Sequence, residues 1–177
     1  RAPENDPKLF LNYLEAGMMG IVVPHVNTRE DMVKAVDAVK YPPLGRRSSG
    51  AMRPAGYGIS QHRRNYFQRA NDETMVIALI EEPEGIDNID DILAVDGLDA
   101  VVIGYGDLSM SMGYPGEKDH PEVQKLSKPA REKIVASDKW LQETVQDPNE
   151  ARKAVETGAN LVRCTMSSLF AKAATEY

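Results

Sequence analysis

The sequence predicts an α/β chain of the TIM (β/α)8-barrel type, a single domain over residues 1–177 that lacks its N-terminal strand or strands. Three observations carry this. Helical and strand patterns alternate with short breaks, the rhythm of βα units around a parallel sheet. The runs Met75 to Ile80 and Ala100 to Ile103 are continuously apolar, as strands covered on both faces are. Each run leads into a carboxylate-bearing motif, Ile80-Glu81-Glu82 and Gly104-Tyr105-Gly106-Asp107-Leu108-Ser109, at the strand end where a barrel keeps its chemistry.

Taken in order, Pro7 to Met18 reads as a helix with Leu9, Phe10 and Tyr13 on one face, and Ile21-Val22-Val23 as a short buried strand. Thr28 is an N-cap with Asp31 three residues on, opening a helix in which Met32, Val33, Val36 and Val39 recur at helical spacing. Tyr41-Pro42-Pro43 ends it, because a proline disfavours the helical region in the residue before it. Leu44 to Tyr57 is rich in glycine, proline and arginine and reads as a loop or very short strand, and Ser60 to Ala70 as a polar helix. Between the two apolar strands, Ile86, Ile89, Ile92 and Leu93 form a helical stripe. Pro121 to Ser137 is an amphipathic helix interrupted or kinked near Pro129. Trp140 to Val145 is a strand, Asp147-Pro148-Asn149-Glu150 starts a helix that Gly158 stops, Leu161 to Cys164 is the last strand, and a helix begins at Ser167.

This gives about five or six strands, whereas a closed barrel has eight and typically ~250 residues. Arg1-Ala2-Pro3 runs into a helix with no complete strand before it, so the sequence reads as a fragment.

Composition narrows the function classes. With 42% hydrophobic and 27% charged residues and a net charge of -6, the chain is an ordinary soluble domain. No run approaches the roughly 18 apolar residues of a membrane span, and no secretory signal opens the sequence, which points to the cytoplasm. The acidic balance argues against nucleic acid. Arg46-Arg47 and His62-Arg63-Arg64 are local basic clusters suited to a small anionic substrate. The single cysteine, Cys164, lies in an apolar stretch and reads as a buried small side chain.

Glu81 and Asp107, from neighbouring strand ends, can together hold a hard divalent cation such as Mg²⁺. Taken singly, a Glu after a strand is also what a solvated loop or helix cap looks like, and Asp107 could cap the turn after it. Glu82 and Glu84 read as exposed charges. Gly104 and Gly106 serve either a tight turn or close backbone approach to a substrate carboxylate. Arg47 can grip a carboxylate through two parallel hydrogen bonds. Lys40 closes an amphipathic helix and Lys139 lies in a turn beside Asp138, so neither reads as a desolvated Schiff-base nucleophile.

Tyr41-Pro42-Pro43-Leu44-Gly45-Arg46-Arg47, then Ile80-Glu81, then Gly104 to Ser109 with Gly113, and finally His120-Pro121-Glu122-Val123, resemble the class II pyruvate aldolases of the HpcH/HpaI type, the 4-hydroxy-2-oxoheptanedioate aldolases and their relatives. The resemblance spans nearly the whole chain. It implies a metal-dependent aldolase that cleaves 4-hydroxy-2-oxo acids to pyruvate and an aldehyde through a metal-stabilised enolate. The implied ligands are Glu81 and Asp107, holding Mg²⁺ or else Mn²⁺, Co²⁺ or Zn²⁺. Arg47 matches the arginine that stabilises the transition state, and Gly104, Gly106 and Asp107 bind substrate. The implied partners are a 2-oxo acid of the pyruvate or oxaloacetate class and an aldehyde, with no nucleic acid and no membrane. A homo-oligomer, a hexamer or trimer of dimers with its terminal helix exchanged, is implied as well.

Four departures stand out. Leu79 occupies a position where relatives usually carry glutamine, Tyr105 one where they often carry proline, and Met166 one where an acidic residue is expected. The family's general-base histidine belongs to a motif upstream of this sequence. Among the three histidines His25 ends a strand, His62 sits in the polar stretch and His120 starts a helix. Leu79 and Tyr105 keep open a second reading, an enolate-forming carbon–carbon ligase or lyase acting on oxaloacetate or acyl-CoA, of citrate-synthase or CoA-lyase type. A third is an inactive barrel remnant that binds 2-oxo acids.

Overall fold

The computed structural model describes residues 1–50, 53–59 and 65–176. Five strands, β1 (Gly20–Val23), β2 (Met75–Ile80), β3 (Ala100–Ile103), β4 (Trp140–Val145) and β5 (Leu161–Cys164), form one parallel sheet in sequence order. The result is an α/β fold with a curled five-stranded half-barrel, where the sequence pattern alone predicted the type but left the count open. The registers place Val23 opposite Ala78, Ile80 opposite Ile103, Val102 opposite Gln142 and Thr144 opposite Arg163.

The side chains of a strand alternate between faces, and here the alternation separates two apolar clusters. Val23, Val76, Ala78, Ile80, Val101, Ile103 and Leu141 face the helices and are buried with Phe10, Met32, Val36, Ile92 and Ile134. Ile77, Leu79, Ala100 and Val102 pack on the other, concave face with Val22 and Leu161. Both faces of the central strands are thus covered, which is why β2 and β3 read as unbroken apolar runs.

Helices α1 (Pro7–Glu15) and α2 (Arg29–Val39) flank β1 in sequence. Asp6 caps α1 by accepting from the Lys8 N–H at 2.7 Å, and Thr28 and Asp31 form a reciprocal capping box on α2. The Leu44 to Tyr57 region holds no strand among its described residues, only an irregular 3₁₀ segment at Arg53–Gly58. Helix α3 (Tyr66–Glu73) replaces the predicted Ser60 to Ala70 element, of which Ser60 to Arg64, and with it His62, lies outside the described residues.

The stripe after β2 is two short helices, α4 (Pro83–Asp87) and α5 (Ile89–Leu93). They part at Asn88, whose side-chain amide donates to the Asn27 carbonyl at 2.9 Å. Helix α6 (Tyr105–Ser111) was not predicted at all. Helix α7 (Pro121–Ala136) runs unbroken through Pro129, which lies on its exposed side. Helices α8 (Pro148–Glu156) and α9 (Met166–Glu176) complete the chain. Cys164 is exposed, not buried, because it sits on the outermost strand with no further element over it. Among the described residues no helix is long and apolar enough to cross a membrane.

Gly45 fixes how the Tyr41-Pro42-Pro43 turn folds back on α2. A Cβ at Gly45 would stand 2.5 Å from the Lys40 carbonyl oxygen and 2.6 Å from that of Val36, both rigid backbone atoms. At Gly106 a Cβ would meet nothing within 4 Å. Gly45→Ala is therefore expected to lower stability by about 2 kcal/mol or more, and Gly106→Ala, at an unobstructed helical position, to raise it by up to about 1 kcal/mol. Urea melts of the two variants check the contrast.

Candidate active site

Glu81 follows β2 directly and continues its alternation, so it shares the concave face with Ile77 and Leu79. Because Ile80 pairs with Ile103, the residue beside Glu81 on the next strand is Gly104. A Cβ at Gly104 would lie 3.0 Å from Leu79 Cδ1 and 3.1 Å from Glu81 Cβ, so only glycine leaves room for Glu81 to lie flat against β3. The Gly104 N–H donates to the Ile80 carbonyl at 2.8 Å. That N–H is committed to the strand pairing and is not free for a substrate carboxylate, contrary to expectation. Gly106 is the second residue of α6 and open on its Cα side.

Asp107, on the first turn of α6, brings its carboxyl within hydrogen-bonding reach of Glu81. Glu81 is only 3% exposed. Burial pushes its carboxyl above the ordinary 4.5, and the Asp107 charge raises it further. The His25 N–H and ring act in the opposite direction. His25 stands in the loop after β1 with φ 52°, a left-handed conformation uncommon for a residue other than glycine. That conformation aims its N–H at Glu81 Oε1, 3.1 Å away. The ring Nδ1 lies 3.1 Å from Glu82 Oε1 and 3.3 Å from Glu81 Oε1. Asn27 Nδ2 in turn donates to Glu82 Oε2. Glu82 is thus half-buried and engaged, where the sequence suggested a free surface charge, and His25 belongs to the site after all.

Arg47 is not brought to this cluster. It lines a cavity with Gly17, Met19 and Thr74, residues that precede β1 and β2, at the N-terminal end of the sheet. Glu81 is at the C-terminal end of the same strand, about 20 Å further along at the usual rise per residue.

A different guanidinium faces the site's side of the sheet. Thr144 pairs with Arg163, and the register carries both onto the concave face, in the same row as Gly104. Arg163 Nη2 donates to Thr144 Oγ1 at 3.1 Å. Sequence reasoning missed it because β5 was read as a plain apolar strand. An arginine two residues after Leu161, and so on the same face of the strand, was the available signal.

The other candidates separate in the same way. Leu79 is on the concave face below Glu81, whereas Tyr105 packs into the helix-side core, where burial pushes its phenol up to about 12. His120 caps α7 and stacks on Tyr114 at 3.7 Å. Lys40 is buried, its amine held 2.9 Å from the Asn71 carbonyl and 3.1 Å from Asp99. It is a desolvated lysine, but at the N-terminal end of the strands, where no strand-end carboxylate meets it except that counter-ion.

Among the described residues no group of three His, Cys, Asp or Glu side chains forms a complete metal site. The donor set nevertheless fits a hard divalent ion. Two carboxylates within reach of each other, one buried and resisting ionisation, are what an oxygen-seeking cation with several water or substrate ligands requires.

Residues 1–171 match the HpcH/HpaI aldolase/citrate lyase family model. Over 164 residues the chain is 38% identical to the 2-keto-3-deoxy-L-rhamnonate aldolase of Klebsiella pneumoniae subsp. pneumoniae, covering 92% of this chain and 60% of that protein. A crystal structure of an HpcH/HpaI aldolase/citrate lyase family protein from Burkholderia cenocepacia superposes with a TM-score of 0.86 at 29% identity, over 99% of this chain and 70% of the other. The citrate synthase SbnG superposes with a TM-score of 0.81 at 28% identity, over 94% and 64%. The chain spans about 60% of the length of the curated relatives it matches. With the paired carboxylates at the ends of β2 and β3 and this match over almost every residue, the chain belongs to the HpcH/HpaI aldolase/citrate lyase family.

Proposed function

We propose that this protein is a cytoplasmic, metal-dependent aldolase that cleaves 4-hydroxy-2-oxo acids to pyruvate and an aldehyde. The observation that carries the reading is the convergence of Glu81 and Asp107 on the concave face at the C-terminal strand ends. Breaking the C3–C4 bond of such a substrate sends an electron pair toward the 2-oxo oxygen. A divalent cation, Mg²⁺ by the hardness of its donors, supplies Lewis-acid stabilisation of that developing charge when bound.

The chain's own residues then divide the work. Glu81 and Asp107 hold the cation, and the His25 N–H fixes the direction of Glu81 Oε1. Gly104 gives Glu81 its space. Arg163, three strands from Glu81, meets a negative or polar group at the far end of the substrate. The exposed Leu169 and Phe170 of α9 suit burial against a second copy in a homo-oligomer.

One observation favours the second reading, an enolate-forming carbon–carbon ligase or lyase on oxaloacetate or acyl-CoA. Leu79 packs on the concave face two residues before Glu81, at the position where the resemblance implies a glutamine.

The test is pyruvate release from a 4-hydroxy-2-oxo acid or from oxaloacetate, with Mg²⁺ or Mn²⁺ and then with chelator. Chelator is expected to abolish it, and Asp107→Asn to lower kcat/KM on the order of a hundredfold. Turnover that persists in chelator would sink the metal assignment. Arg163→Leu is expected to raise KM about tenfold with kcat nearly unchanged, the mark of uniform binding lost.

The pH dependence of stability follows from Glu81. Its folded-state value lies above the ordinary 4.5, so the stability its neutral form contributes is fully present below that value and is lost as pH rises through the folded value. In metal-free protein Glu81→Gln is expected to melt above wild type at neutral pH and to lose that advantage in acid. Mg²⁺ should raise the wild-type Tm at neutral pH and leave Glu81→Gln unmoved, as scanning calorimetry in both buffers will show.

A further inference from the structure

His25 aims its N–H at Glu81 from a backbone conformation that it would not keep unaided. Its φ of 52° lies in the left-handed region, which is costly for a residue with a side chain and persists only where the surroundings impose it. Packing does not impose it, because the imidazole is 62% exposed. The tether is the carboxylate of Glu82, whose Oε1 accepts from the ring Nδ1 at 3.1 Å. The other oxygen of Glu82 is taken as well, by the side-chain amide of Asn27.

Asn27 is a fixed anchor for that carboxylate. Its N–H donates to Asp31 Oδ2 at 3.1 Å, in the capping box of α2, and its carbonyl accepts from the Asn88 amide at 2.9 Å, where α4 and α5 part. Gly85 of α4 lets these segments close on one another: a Cβ there would stand 2.6 Å from the Val26 carbonyl oxygen and 3.2 Å from Asn27 Oδ1. The hydrogen bonds therefore run from two helix ends through Asn27, Glu82 and the His25 ring to the His25 N–H. They finish on Glu81 Oε1, 3.1 Å away.

We propose that Asn27 and Glu82 are positioning residues for the cation site: by holding His25 in its left-handed turn they aim Glu81 Oε1 in advance and so raise the affinity of the site for Mg²⁺. The proposal rests on the reading of Glu81 and Asp107 as the ligands. Asn27 and Glu82 are not ligands themselves, and each acts through His25. An oxygen already aimed loses no further freedom on binding, and groups one step removed from a metal typically change its affinity about 10- to 100-fold.

Calorimetric titration of Mg²⁺ into the intact protein, which needs no turnover, provides the test. Asn27→Ala and Glu82→Ala are each expected to weaken Mg²⁺ binding about tenfold, the first without changing the charge of the site, and either variant carries the test if the other fails to fold. In metal-free protein the His25 amide should exchange about tenfold faster in both. His25→Gly takes a positive φ freely and keeps the N–H but has no ring for Glu82 to hold. It should weaken Mg²⁺ as much as Glu82→Ala does, and combining the two should weaken it no further. Mg²⁺ affinity or His25 exchange unchanged in Asn27→Ala, or a full tenfold loss from Glu82→Ala in the His25→Gly background, would overturn the proposal and leave the ligand assignment standing. No Mg²⁺ binding by the wild type, or binding unaltered in Asp107→Asn, would remove the ligand assignment and the proposal with it.

Discussion

The parallel pairing of β2 with β3, with Ile80 opposite Ile103, decides where the charged groups of this molecule go. It sets Glu81 beside a residue that must be glycine, and it starts α6 one residue later, so that Asp107 on the first turn swings back over Glu81. A slip of one residue would turn Glu81 into the helix-side core and Ile80 onto the concave face. The apolar content of both clusters opposes that slip. Register, packing and chemistry are therefore one constraint, fixed by the alternation of Val76, Ala78 and Ile80 against Ile77, Leu79 and Glu81.

The two ends of the same strand handle charge in opposite ways. At the N-terminal end Lys40 has Asp99 and two carbonyl oxygens around its amine, and the network ties α2 to the starts of β2 and β3. The Lys40 charge is thus matched by Asp99. At the C-terminal end Glu81 and Asp107 repel, and His25 adopts a left-handed backbone to offer one N–H. That arrangement costs the folded chain stability unless a cation joins it. Strain of this kind persists only where the surrounding structure imposes it, and it clusters at functional sites.

The strands and most helices were legible because burial on both faces, N-caps and proline positions are local signals. Glu81 and Asp107 were legible for the same reason, each closing an apolar run. Helix α6 was hidden in a glycine-rich motif that reads as a loop, since glycine has low helix propensity and the element is held by the burial of its own Leu108 and Ser109. The uninterrupted course of α7 through Pro129 was equally invisible, because a proline that removes one helical hydrogen bond reads locally as a break.

Arg47 and Arg163 mark the deeper limit. Neither local sequence alone says which end of the sheet its arginine will occupy. Arg47 follows a helix and is delivered to the start of β2, whereas Arg163 lies within β5 and inherits its face from a chain of three registers running back through Thr144 and Gly104 to Glu81. Only the pairing of non-adjacent segments carries that information. It follows that an arginine of the last strand shares the concave face with Glu81, and that Arg47 is buried with its Nε unpaired among the described residues.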